Sequence, residues 1–174
     1  MDRVNKVLFH PQYQQYYQEI QSLEADRKFC GHTIDHFLAV ARLSFIMVQE
    51  AGLDIDKEVV YAAALLHDIG RYLEYTKGTP HHEGSVLIAQ ELLPECGFND
   101  TEIAIIIQAI KGHREAFQKR YCKAWDEELY KLSDADNFAA IFNQADKLSR
   151  NCFACSVADE CNWPVEKKNT KVVL

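Results

Sequence analysis

The sequence predicts an all-α, single-domain bundle of about six helices, on three observations. Apolar residues recur at three- and four-residue spacing in almost every window, strand-like alternation is almost nowhere, and only 7 glycines and 4 prolines interrupt 174 residues. A 48% hydrophobic content at this length builds one core without disulfides. No internal repeat or low-complexity stretch is present, which favours a bundle over a solenoid.

In chain order, a largely polar first helix is expected from Pro11 to Phe29, followed by a break at Gly31. A second is expected from Thr33 to Ala51, with His36, Val40, Leu43 and Met47 along one stripe and Gly52 closing it. The third, Asp56 to Ile69, is dense in Ala, Leu and Val and stops at Gly70. Arg71 to Gly78 reads as a loop. Thr79 is expected as an N-cap with Pro80 at the first helical position, opening a helix that Pro94 ends. Asn99 and Glu102 have capping-box spacing for the next helix, which ends at Gly112. A last helix is expected from near Trp125 to Leu148, before an irregular tail. The expected organisation is therefore an N-terminal helix in residues 1–30, a main domain in 31–148 and a tail in 149–174.

The net charge of −7 argues against a nucleic-acid duplex as partner, since duplex binders normally carry a basic stripe. The N-terminus lacks the basic start and apolar run of a signal peptide, and no window approaches a membrane span, so a cytoplasmic protein without membrane attachment is expected. In a reducing compartment the 6 cysteines are expected as free thiols or metal ligands.

Polar residues on apolar stripes are the informative feature. Asp136 shares a face with Leu129, Leu132, Ala139 and Ala140; His36 heads its stripe; His113 completes Ile106, Ala109 and Ile110; His81 leads Ser85, Ile88, Ala89 and Leu92. His67 and Asp68 fall in the last turn of the third helix, where the helix dipole favours a cation. A single inward histidine is usually a hydrogen-bonded core residue. Five helices each offering an inward His or Asp, one of them offering two, point instead to a metal.

His36, the run Leu65-Leu66-His67-Asp68-Ile69-Gly70 and the late Ala135-Asp136 step closely resemble the HD-domain superfamily of metal-dependent phosphohydrolases, over roughly residues 30–146. The resemblance implies His36, His67, Asp68 and Asp136 as primary metal ligands. His81, four residues before Ser85, and His113 add the two histidines of the two-metal branch. His82 competes with His81, and Asp134 more weakly with Asp136.

The chemistry so implied is hydrolysis of a phosphoester or phosphoanhydride by metal-activated water, on a nucleotide or another small phosphorylated metabolite. One or two divalent ions are expected, with Fe, Mn, Ni, Zn and Mg all compatible with His and Asp ligands. Asp68 is expected to bridge two ions, and Asp35 to orient a ligand or take a proton. Substrate phosphate is expected at Arg71, Lys111, Arg114 and His82, with Arg114 the best placed for a bidentate contact. Lys77, Lys119 and Arg120 read as solvated charge, and His32, one turn before His36, as a structural residue or one lining the pocket. Alternatives are a di-iron oxygenase on the same fold and a nucleotide-sensing module without turnover. Cys152, Cys155 and Cys161 are compatible with three ligands of a separate zinc or iron–sulfur site.

Overall fold

In the computed structural model, residues 1–112 and 133–172 are described. They contain eight α-helices: α1 (Asp2–Leu8), α2 (Pro11–Leu23), α3 (Ile34–Glu50), α4 (Lys57–Leu66), α5 (Arg71–Lys77), α6 (His81–Cys96), α7 (Asp100–Gly112) and α8 (Asp134–Leu148). Two 3-10 turns, Cys152–Ala154 and Val165–Lys167, follow in the tail. Among the described residues there is no strand. No helix among them is long and apolar enough to cross a membrane.

α4 is the axis of the fold. Val59, Val60, Ala62, Ala63, Ala64, Leu65 and Leu66 are all buried, so the helix is apolar around its whole circumference and must be surrounded. Its alanines let α3 and α7 approach closely, while α1 and α6 cover its remaining flanks. α8 closes the bundle against α3 and α7.

The helix count exceeds the expected six because two short helices give little periodic signal. α1 buries only Val4 and Val7, and it is pinned by charge. Arg3 reaches Glu58 through Nε at 2.7 Å and Glu102 through Nη1 at 2.7 and 2.8 Å, and its guanidinium lies 4.5 Å from the Phe98 ring centroid. α5 occupies the expected loop between Arg71 and Gly78 and has no buried residue. Gly78 terminates it in the left-handed region, φ 73°. Several boundaries also move. α4 stops at Leu66, short of Ile69, and α6 has Pro80 at its N-cap, without a side-chain hydrogen bond, in place of the expected Thr79. The polar first segment stops at Leu23, and α6 runs through Pro94 to Cys96 before Gly97 ends it. The capping box at α7 forms as expected: Asn99 N–H donates to Glu102 at 2.9 Å and Glu102 N–H to Asn99 Oδ1 at 3.0 Å.

Gly70 joins α4 to α6 by backbone contact. Its φ of −66° is ordinary, so conformational freedom is not the reason for glycine. A Cβ here would lie 2.0 Å from the His81 carbonyl oxygen and 2.2 Å from the Ser85 nitrogen, and backbone atoms cannot yield. Ser85 completes the clamp, its hydroxyl accepting from Gly70 N–H at 2.9 Å and donating to the His67 carbonyl at 2.7 Å. Gly70→Ala is therefore expected to destabilise the fold by about 3 kcal/mol, at or above the upper end for an overpacked methyl group. A urea midpoint within error of the unaltered protein would refute this close packing.

Candidate metal centre

α4 ends at Leu66, and His67 to Gly70 form a tightened turn in which Ile69 N–H donates to Leu66 O at 3.3 Å and Arg71 N–H to Asp68 O at 3.0 Å. This turn lets two adjacent side chains face one point. His67 Nε2 lies 3.1 Å from Asp68 Oδ2, and both residues are buried. His36, in the first turn of α3, brings Nε2 to 3.8 Å from the same oxygen. Asp146, near the end of α8, places Oδ1 at 3.3 Å from His36 Nε2 and 3.7 Å from His67 Nε2. One ligand atom from each of His36, His67, Asp68 and Asp146 falls within 4.8 Å of the others, the arrangement of a site that could hold a metal ion.

The fourth member corrects the expectation of Asp136. Asp136 lies in the first turn of α8 and serves its start. Ser133 donates to its carboxylate at 2.6 Å and accepts from its N–H at 3.2 Å, while Gln108 donates to it at 2.6 Å. Asp146 stands ten residues on, roughly 15 Å along the axis at the usual rise. Both aspartates follow an alanine in the same helix. The stripe assigned to Asp136 assumed a helix already running through Leu129 and Leu132, two residues outside the described ones, whereas Ser133 is the N-cap of α8. The Ser133-x-x-Asp136 spacing was the sequence signal for that start.

Four histidines present Nε2 to the centre while Nδ1 is occupied elsewhere. His67 Nδ1–H donates to Ala64 O at 2.7 Å. Ser149 donates to Asp146 O at 2.6 Å, so its oxygen accepts from His36 Nδ1–H at 3.1 Å. His81 Nδ1 faces Glu74 at 3.3 Å, with Nε2 3.6 Å from Asp68 Oδ1. His32 Nδ1–H donates to Glu24 at 2.5 Å, with Nε2 3.6 Å from Asp68 Oδ2. Tying Nδ1 fixes tautomer and ring orientation, which is how protein matrices prepare imidazoles for metals.

Asp68 thus shows Oδ2 to His32, His36 and His67, and Oδ1 to His81 and to Arg71 Nε at 3.4 Å. Asp68 Oδ1 and Asp146 Oδ1 are buried without a hydrogen-bond partner among the described residues. Each has a guanidinium beside it instead, Arg71 at 3.4 Å and Arg150 at 3.5 Å, so both oxygens sit where positive charge is favoured. The donor set, imidazole nitrogens with carboxylate oxygens, fits a divalent transition metal or Mg.

Electrostatics agree with the geometry. Burial opposes charge on Asp68, but the adjacent His67 and the His36 contact outweigh it and hold the carboxyl well below its usual range. Asp146 is likewise held low against burial by His36, His67 and Arg150. Burial works against an imidazolium at His67, yet Asp68 and Asp146 push its pKa up to about 10. His32 is shifted downward by burial, which its Glu24 contact only partly opposes.

Several other expected residues lie elsewhere. Asp35 is exposed at the start of α3, and Lys111 is exposed at the end of α7. His81 occupies the centre. His82 points away, about a quarter exposed, with Nε2 4.0 Å from Glu83. Asp134 is exposed and accepts from Asp54 N–H at 3.1 Å. Arg71 pairs with Asp68, its Nε 3.4 Å from Oδ1. His113 and Arg114 fall outside the described residues. Cys152, Cys155 and Cys161 are half-buried free thiols and are not part of any three-ligand group among the described residues.

Sequence reasoning missed Glu24, Glu74, Asp146, Ser149 and Arg150, and favoured a structural role for His32 over lining the pocket. Spacing offers no signal for Glu24 or Glu74, because their partners are set by tertiary contacts. The Asp146-x-x-Ser149-Arg150 run becomes visible once Asp146 is recognised.

The model of the HD domain family matches residues 33–151, about two thirds of the chain. The chain belongs to the HD domain family. An uncharacterized protein from Clostridium beijerinckii is 42% identical over 172 residues, covering 99% of both chains. Ribonuclease Y of Mycoplasma mycoides is 34% identical over 100 residues, 58% of this chain but only 21% of that enzyme. The crystal structure of a predicted HD superfamily hydrolase from an uncultured Thermotogales bacterium superposes with a TM-score of 0.56 at 23% identity, covering 91% of this chain and 82% of that one, which shows a shared fold.

Glu24 gives this HD-domain centre an acid-sensitive brace. Burial raises its pKa, but hydrogen bonds from His32 and Tyr75 outweigh that and bring it to about 2, below the ordinary 4.5. A depressed carboxyl stabilises the fold above pH 4.5 and loses that contribution as pH falls toward 2. Glu24→Gln should therefore lower stability near neutral pH and flatten the loss between pH 4.5 and 2.5, as read from urea midpoints. Parallel curves for the two proteins would contradict the assignment.

Proposed function

We propose that the protein is a metal-dependent phosphohydrolase acting on a nucleotide or another small phosphorylated metabolite. The observation that carries this reading is Asp68, a buried carboxylate with each oxygen turned toward a different set of imidazole Nε2 atoms. His36, His67, Asp68 and Asp146 would hold a divalent ion, and His81 with Asp68 Oδ1 would offer donors to a second. Such an ion supplies Lewis acidity that polarises both a water molecule and a phosphoryl oxygen.

The chain's own groups do the remaining work. Asp68 and Asp146, held ionised, stay available as ligands at any ordinary pH. Ser149, Ala64 and Glu74 keep the imidazoles aimed. Arg71, paired with both Asp68 and Glu74, holds positive charge beside the reacting centre. An overall charge of −7 disfavours long polyanions and favours a small substrate that these local charges can bind. Ribonuclease Y, by its name, acts on RNA, so a short RNA belongs among the compounds tested.

Nucleotides, sugar phosphates and an RNA oligomer assayed with Mn, Fe, Ni, Zn and Mg should reveal phosphate or nucleotide release that chelation abolishes. Asp68→Ala should reduce it by at least about a hundredfold, the scale of a several-kcal/mol loss in transition-state stabilisation. Undiminished hydrolysis in excess chelator would sink the reading. Oxygen uptake by iron-loaded protein without hydrolysis would favour an oxygenase.

A further inference from the structure

Two guanidinium groups flank the centre, and their surroundings differ. Arg71 pairs with Asp68 and also with Glu74 at 2.5 Å, so its charge is balanced twice. Arg150 lies just beyond the end of α8. Its Nη2 donates to His36 Nε2 at 3.1 Å and stands 3.5 Å from Asp146 Oδ1. Asp146 is its one carboxylate partner among the described residues, and its Nε, like that of Arg71, is buried with no hydrogen-bond partner there. The guanidinium therefore engages the same two atoms, His36 Nε2 and Asp146 Oδ1, that a metal ion would take.

The two occupancies compete. A divalent ion on those atoms removes the Arg150 acceptors and sets like charges a few ångströms apart in a poorly solvated place, where repulsion is strong. The backbone near Arg150 is fixed, because Asn169 Nδ2 donates to Lys147 O at 2.7 Å and to Arg150 O at 2.8 Å. Only the side chain can yield. Swung from Asp146, it is a planar, permanently charged group at the rim of the centre without a counter-ion, the chemistry that binds a phosphate oxyanion through paired N–H donors.

We propose that Arg150 is a phosphate-binding arm coupled to metal occupancy, released from His36 and Asp146 when the ion binds and satisfied by the phosphoryl group of the substrate. This rests on the metal-centre reading above. Because coupling between two ligands is reciprocal, phosphate should tighten metal binding, and part of that enhancement should depend on Arg150.

The test is Mn affinity of the full chain, titrated with and without inorganic phosphate, for the unaltered protein, Arg150→Ala and Arg150→Lys. Arg150→Ala should bind Mn alone at least as tightly as the unaltered protein. Its enhancement by phosphate should fall by about tenfold, the loss of a charge-assisted hydrogen bond, and Arg150→Lys should recover part of it. An unchanged enhancement in Arg150→Ala would overturn the proposal and leave the metal centre standing. So would weakened Mn binding without phosphate, since Arg150 would then support the ligands. Absence of Mn binding by the unaltered protein would overturn both.

Discussion

Two carboxylates, Asp68 and Asp146, are turned into the interior of a helical bundle, and their desolvation organises everything around them. Burial alone would push both toward the neutral form. Each is instead held ionised by imidazoles and a guanidinium from separate parts of the chain. A small all-α domain gains nothing in stability from such an arrangement compared with an apolar core, because removing charge from water usually offsets the attraction recovered. The positions are those a cation requires.

The helices are placed to meet that demand. α4 is apolar on every side, so its end is fixed by packing from all neighbours. The turn after it presents His67 and Asp68 together, and the backbone contact of Gly70 with α6 sets the distance to His81. α3 and α8 pack against one another and bring His36 and Asp146 to within 3.3 Å. Outside this ring, Glu24, Glu74 and Ser149 hold the rings of His32, His81 and His36. Precision in the centre therefore comes from the rigid ends of helices and from a second layer of hydrogen bonds.

Much of this was legible before any coordinates. The α3 helix, the Ala-rich α4 and the Asn99 capping box are local signals and they form, although α4 ends at Leu66 and the buried face of α3 takes in Phe37, Ala41, Ser44 and Val48 beside His36 and Val40, with Leu43 and Met47 half-buried. His36, His67, Asp68 and His81 stood out because polar groups interrupt apolar faces. The failures were of another kind. α1 and α5 are short, bury little and are secured by tertiary contacts such as those of Arg3, so no periodicity announces them. The expectation of Asp136 rests on a helix start placed too early, and it passes over Asp146, where the Ala-Asp step recurs ten residues on. The capping role of Ser133 decides between them, since it assigns Asp136 to the first turn. Glu24 is eight residues from His32 and Glu74 seven from His81. Those pairings arise from chain reversals that spacing does not encode.

The central claim is that His36, His67, Asp68 and Asp146 form one metal centre to which Asp136 does not belong. It is tested most directly by elemental analysis of Asp146→Ala and Asp136→Ala, each equilibrated with a slight excess of Mn and desalted beside the unaltered protein. The account predicts that Asp136→Ala retains its metal and loses only helix-capping stability, about 1 kcal/mol. Asp146→Ala should lose the metal while remaining folded. Metal lost from Asp136→Ala and retained by Asp146→Ala would contradict it.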